Sequence, residues 1–207
     1  MYVPRSFDAS DVAFCHAVMR AYPFAPIVTA DLTASHLPFL VEDRGPLGTL
    51  LGHVARASPH HDELGKGNEA LVTFTGPHAY VSPTWYEPGP AVPTWNYCAV
   101  HAYGTPRLLD EAATRAYLGT LAAHFDAGYR FDSLPEDYLV KMVRAIVAFE
   151  LPIARLQGKA KLSQNRSPAD AARVADALAA SSVEGDRDVA KWMRAGGPID
   201  AGGSSGQ

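Results

Sequence analysis

Thr94-Trp95-Asn96-Tyr97-Cys98-Ala99-Val100-His101-Ala102-Tyr103 has no glycine or proline and is rich in aromatic residues. It is expected to be a long strand. Strict alternation puts Trp95, Tyr97, Ala99, His101 and Tyr103 on one face. Thr94, Asn96, Cys98, Val100 and Ala102 take the other. The aromatic stripe is the expected core face. Asn96 and Thr94, opposite it, suit the polar edge of a planar ring better than a core.

Upstream, Asp8 to Tyr22 has apolar residues at helical spacing and stops at Pro23. Short strands are expected at 27–30, 36–41, 49–56 and 70–75, separated by Gly, Pro and Asp. A Pro/Gly loop at 83–93 reads as a rigid turn. Downstream, a helix at 111–125 takes Asp110 as N-cap and turns Tyr117, Leu121, His124 and Phe125 inward. A second begins at Ser133, whose capping box uses Glu136. Residues 146–158 return to strand, with Pro152 marking an edge or bend. Ser167 and Pro168 open a last helix, to about Ala180. A block of strands followed by helices favours α+β. Residues 1–182 are expected to form one domain with N- and C-terminal helices. Residues 183–207 are read as a C-terminal extension ending in a flexible Gly/Ser-rich tail.

The 207 residues, 47% hydrophobic and 19% charged, suit a globular protein. No apolar run approaches the roughly 20 residues of a membrane span. The first residues lack the apolar stretch of a signal peptide, and Cys15 and Cys98 are too few for a disulfide framework. A cytoplasmic location and no membrane association are the expectations. Net charge is −4, which argues against wrapping nucleic acid by charge. Between Arg155 and Arg173, however, five cations accompany one anion, Asp170, leaving the rest of the chain at −8.

Rossmann, P-loop and nucleophile-elbow motifs are absent. His60-His61-Asp62-Glu63 fits no zinc spacing and is expected in a solvent-exposed loop, so no metal ligand is assigned. His53-Val54-Ala55-Arg56 closes a strand. Arg56 offers a planar fork for a phosphate, with Ser58 adding a donor, or else pairs with Asp62 or Glu63. Lys159-Ala160-Lys161-Leu162-Ser163-Gln164-Asn165-Arg166 is either a charged strand edge or an anion site in which Gln164 and Asn165 bond a heterocycle.

The strings Met1-Tyr2-Val3-Pro4, Ser35-His36-Leu37-Pro38-Phe39, Gly52-His53-Val54-Ala55-Arg56, Phe74-Thr75-Gly76-Pro77-His78-Ala79-Tyr80-Val81-Ser82-Pro83, Val92-Pro93-Thr94-Trp95-Asn96-Tyr97 and Lys161-Leu162-Ser163-Gln164-Asn165-Arg166 resemble the PaiB family. That family is known as FMN-binding negative transcriptional regulators, and the resemblance covers residues 1–180. It implies an FMN-binding split β-barrel, antiparallel and Greek-key-like, with flanking helices. It also implies a homodimer with FMN at the subunit interface. Carried over by motif, His36, His53, Arg56 and Ser58 line one side of the cofactor. Trp95, Asn96, Lys159, Lys161 and Gln164 line the other. Ser58 stands where the family usually has Asn, and the family's Trp near residues 124–131 is missing. Flavin-dependent redox activity is the implied chemistry, with no catalytic residue assigned. Haem is the alternative cofactor, with His53 or His101 as axial ligand. With no helix-turn-helix, zinc finger or basic face, regulation is expected to run through a metabolite or protein partner rather than direct DNA contact.

Overall fold

The computed structural model describes residues 1–198. The expected tail lies, from residue 199 on, outside the described residues. Helix α1 (Val12–Ala21) starts later than expected because the Asp11 carboxylate, not Asp8, caps it by accepting from the Phe14 N–H. Strands β1 (Phe24–Val28), β2 (Ala34–Pro38), β3 (Leu40–Glu42) and β4 (Thr49–Ala55) follow. A short helix α2 (His60–Leu64) precedes β5 (Ala70–Val81) and β6 (Thr94–Gly104). Then come β7 (Arg107–Leu108), α3 (Glu111–Phe125), α4 (Glu136–Arg144), β8 (Ile146–Lys161), α5 (Pro168–Ala179) and α6 (Glu184–Ala195).

The eight strands form a sheet ordered β2-β1-β5-β6-β8-β4-β3, with β7 added on β8. The β1–β2, β1–β5, β3–β4, β4–β8 and β7–β8 ladders are antiparallel. The chain divides into two compact units. One holds residues 1–22, 73–101 and the chain from Leu156; the other holds 23–72 and 102–155.

In the second unit, the β4–β8 ladder runs from Ala55↔Ile146 to Thr49↔Pro152. Pro152 was expected at an edge or bend, yet β8 is an interior strand. The β4 ladder ends there, where a missing N–H costs no bond, and Ile153 N–H goes to the Gly48 carbonyl instead. Gly52 admits Phe39 and Phe149, which meet edge to face at 6.3 Å; an added Cβ would lie 3.0 Å from the Phe39 ring. Leu40, Leu51, Tyr117 and Ala148 form a core cluster, with Leu109, Leu118 and Leu121 against it. Asp110 caps α3 as expected, and Tyr117 faces inward, but His124 and Phe125 are exposed. The helix closes its inner face with one aromatic and leucines. The Ser133 capping box is absent. The Ser133 hydroxyl donates to the Arg130 carbonyl, and Glu136 holds Arg115 in a two-point ion pair.

In the first unit, Ser167 caps α5 by accepting from the Asp170 N–H. Helix α6, not foreseen within the extension, packs on α5. It buries Trp192 between the rings of Phe14 and Tyr22. Alternation along β6 holds, but its burial is inverted. Asn96, Cys98, Val100 and Ala102 are buried, while Trp95 is 52% exposed and Tyr97 half-buried. Small residues let β6 pack closely: an added Cβ at Gly76 on β5 would sit 3.2 Å from Cys98 Cβ. The start of the Pro/Gly turn is tied to α5. The Asp170 carboxylate accepts from the Glu87 N–H and Arg173 Nε donates to the Trp85 carbonyl.

Candidate functional site

The residues singled out from sequence fall into two groups, one in each unit. Those of the 23–72 segment are carried by β2, β4 and the turn after β4. His36 is exposed on β2 and stacks on Phe24 at 6.3 Å. His53 Nδ1 lies 2.9 Å from the Tyr117 hydroxyl, and burial lowers the imidazole pKa. The ring is therefore neutral near pH 7. Burial also pushes the Tyr117 phenol up, so that pair carries no charge.

Arg56 does not pair with Asp62 or Glu63. Its Nε donates to the Arg144 carbonyl at the end of α4 (2.7 Å), and Nη2 to the Ile146 carbonyl (2.8 Å). Two of five N–H groups are thus spent on orienting the guanidinium, which is exposed. The cation also suits the negative end of α4. A cleft of about 70 Å³ opens beside it, bounded by Glu111, Thr114 and Arg144. Ser58 is half-buried, and its hydroxyl accepts from the His60 N–H at 3.4 Å. His60 itself is not in a solvent-exposed loop. It opens α2 and is 1% exposed, because two hydroxyls satisfy its ring nitrogens.

The other group sits at the ends of β6 and β8. Lys161 donates to the Thr94 hydroxyl and to the Trp95 carbonyl, the latter at 2.7 Å. Burial lowers its pKa, and the charges of Lys159 and Arg166 lower it further. Lys159 is buried. Its ammonium donates to the Tyr2 carbonyl at 3.2 Å and faces the Tyr97 ring at 5.1 Å. Asn96 is also buried, donating to the Ser163 hydroxyl at 2.9 Å. Gln164 straps its own turn: its Oε1 accepts from Leu162 N–H and its Nε2 donates to the Ala160 carbonyl. These amides hold Ser163 at φ 67°, a left-handed backbone that a serine rarely adopts. Trp95 presents an exposed ring, flanked by His78 at 6.3 Å and edge-on by Tyr80 at 6.2 Å.

The sequence marked Arg166 as part of a basic stretch but not its aromatic partner, Tyr86. Arg166 stacks on Tyr86 at 4.2 Å, and the buried Tyr86 hydroxyl has no hydrogen-bond partner. A tyrosine among prolines carries no sequence signal for either role. Arg56, Lys159, Lys161 and Arg166 have no carboxylate partner among the described residues, as is also true of Arg5, Arg130, Lys141 and Arg187, whereas ion pairs engage Arg44, Lys66, Arg115, Arg155, Arg173 and Arg194. No group of three metal-binding side chains gathers among them either.

Cations without carboxylate partners, with spare N–H donors on Arg56 in one unit and on Lys161 next to Trp95 in the other, fit the chemistry of a phosphate-bearing ligand. The fold is that of the antiparallel split β-barrels. The flavocytochrome Anf3 of Azotobacter vinelandii superimposes with a TM-score of 0.62 at 18% identity, over 77% of this chain and 72% of that one. The FAD and heme binding protein of Mycobacterium smegmatis gives 0.56 at 21% identity, over 74% and 73%. The chain belongs to the family described as "Putative FMN-binding domain", whose model matches residues 1–155. It is 31% identical to the Bacillus subtilis protein PAI 2 (PaiB), a "protease synthase and sporulation protein", over 93% of this chain and 96% of that relative. A protein of Aspergillus fumigatus is 28% identical over 96% of this chain.

Proposed function

We propose that this protein is a flavoprotein that binds FMN as a homodimer, and that any effect on transcription passes through this ligand or a protein partner. The observation that carries the reading is the cluster of Lys159, Lys161 and Arg166 without a carboxylate partner among the described residues, in a chain whose net charge is −4. A cation left without a counter-ion raises the energy of the empty site, and an anionic ligand relieves it. The candidate residues fall in two groups, one in each unit. In the unit holding residues 23–72, Arg56 is the residue that neutralises a phosphate, Ser58 adds a hydroxyl, His36 offers a ring face and His53 shapes the group from within. In the other, Lys161 neutralises a phosphate, Trp95 offers a ring face, and Asn96, Lys159 and Gln164 shape the group from within, since their polar atoms are engaged by the protein. Bound FMN supplies one- and two-electron redox chemistry, which no side chain here provides. A cytoplasmic location accords with two free, buried cysteines, both thiols pushed up to about 12 by burial.

Titration of the purified protein with FMN, followed by quenching of flavin fluorescence, tests the reading. Saturable binding that weakens about tenfold or more in Arg56→Ala and Lys161→Ala is expected, with the far-UV spectrum unchanged. No quenching, or a Soret shift on adding haem instead, overturns it. Sedimentation at binding concentrations tests the dimer. A salt-sensitive shift of one specific promoter fragment by the pure protein would establish direct DNA contact against the proposal.

A further inference from the structure

His60 is a fully buried imidazole in a five-residue helix that buries only one other side chain, Leu64. Such a short helix has no stability of its own. What holds it is a chain of hydrogen bonds whose direction can be worked out. Asp31 is ionised, its pKa lowered to about 2 by hydrogen bonds from Thr33 and Thr29, so it only accepts. The Thr29 hydroxyl has one proton, which it gives to Asp31 Oδ1 at 2.7 Å. It must therefore accept from His60 Nε2, 2.9 Å away. With the proton on Nε2, Nδ1 is left to accept from the Ser35 hydroxyl at 2.7 Å. The direction runs Ser35 to His60 to Thr29 to Asp31, and every donor in it is used once.

The two ends of this relay lie in the β1–β2 hairpin, which carries His36. The imidazole belongs to the residue that ends the turn of Arg56 and Ser58, where the His60 N–H meets the Ser58 hydroxyl. We infer that His60 is a positioning residue for the proposed flavin site, bolting the Ser35–His36 strand to the Arg56–Ser58 turn. This inference rests on the flavin reading and names the part of the chain that keeps its donors in register. The bolt is made by a neutral ring. Burial lowers the His60 pKa, and Asp31 of the hairpin and Glu63 of α2 oppose this. Protonation would place a second proton on Nδ1 inside a buried site, so the bolt weakens as pH falls below the imidazole's ordinary value of about 6.5.

The amide of glutamine offers an NH2 donor group and a carbonyl acceptor, which can stand in for the ring's one N–H and one acceptor nitrogen. His60→Gln should therefore keep FMN affinity within about threefold, whereas His60→Ala should lose about tenfold or more. Hydrogen exchange without FMN should rise together in segments 29–36 and 56–60 of His60→Ala, and not in His60→Gln. Wild-type affinity should decline from pH 7.5 to pH 5.5 more steeply than that of His60→Gln, a response that a merely space-filling role would not produce. If His60→Ala does not fold, Ser35→Ala and Thr29→Val each remove one bond and should show the same paired loosening. Loosened segments with unchanged FMN affinity would overturn the positioning role while leaving the flavin reading intact. A wild-type protein that binds no FMN would overturn both, whatever exchange His60→Ala shows.

Discussion

Tyr86 shows how a single atom sets an energy. Its ring is covered by Arg166 and its hydroxyl is buried without a partner. An unmet buried polar group costs about 1–3 kcal/mol, and replacing it by a shape-matched apolar group recovers part of that. Tyr86→Phe should accordingly raise stability by about 1 kcal/mol, or roughly 2–4 °C in Tm for a chain of this size. A thermal melt showing a loss instead would mean that the hydroxyl has a partner in the assembled protein. The sequence made the cations around it legible, because five of them with one anion stand out in an acidic chain. It did not make their partners legible. Asn96 read as a ligand-facing amide because an Asn in a strand is hard to explain; the explanation is Ser163, 67 positions away in sequence.

At the scale of elements, the long, periodic segments were readable and the context-dependent ones were not. The helix at 111–125 and the cap at Ser167 follow from local pattern alone. The inner face of β6 does not, since alternation names two faces without saying which one the neighbours leave room for. Helix α6 was hidden because its charged residues and flanking glycines resemble a tail, while its apolar side is only Val189, Ala190, Trp192 and Met193. That side is nevertheless anchored. Trp192 is 4% exposed between two aromatic rings, and Met193 Sδ lies 3.5 Å from the Asn96 amide. Trp192→Ala should cost about 3–5 kcal/mol, and denaturant unfolding would measure it. A cost below about 1 kcal/mol would mean that α6 is a passenger on α5.

At the scale of the whole molecule, titration offers two predictions. His53 and His60 both have pKa values lowered by burial, so the unfolded chain takes up protons first on acidification. Their contribution to stability is fully present above about pH 6.5. It declines below that, at up to roughly 1.4 kcal/mol per pH unit for each, until the folded rings protonate. Asp31, Glu136 and Asp170 have lowered pKa values and lose their contribution only below about pH 4. Urea midpoints should thus fall between pH 7.5 and pH 5.5, and less so in His53→Gln. A flat profile over that range would place both rings in water.

The second concerns charge. A chain at −4 repels a phosphate dianion at long range, so the proposed affinity for FMN must come from short-range contacts with cations that lack carboxylate partners. Riboflavin has the same ring and ribityl chain without the phosphate. The difference between the two ligands therefore isolates what those cations do. Charge-assisted hydrogen bonds are worth about 1.5–3 kcal/mol, which converts to an FMN preference of about 10–100-fold. Raising sodium chloride from about 0.05 M to about 0.5 M shortens the screening length and should narrow the preference, with riboflavin binding almost unchanged. In Lys161→Ala and Arg56→Ala the preference should shrink while riboflavin affinity holds. Equal affinity for both ligands at low salt would assign the unpaired cations to some other anion, and the aromatic face alone to the flavin.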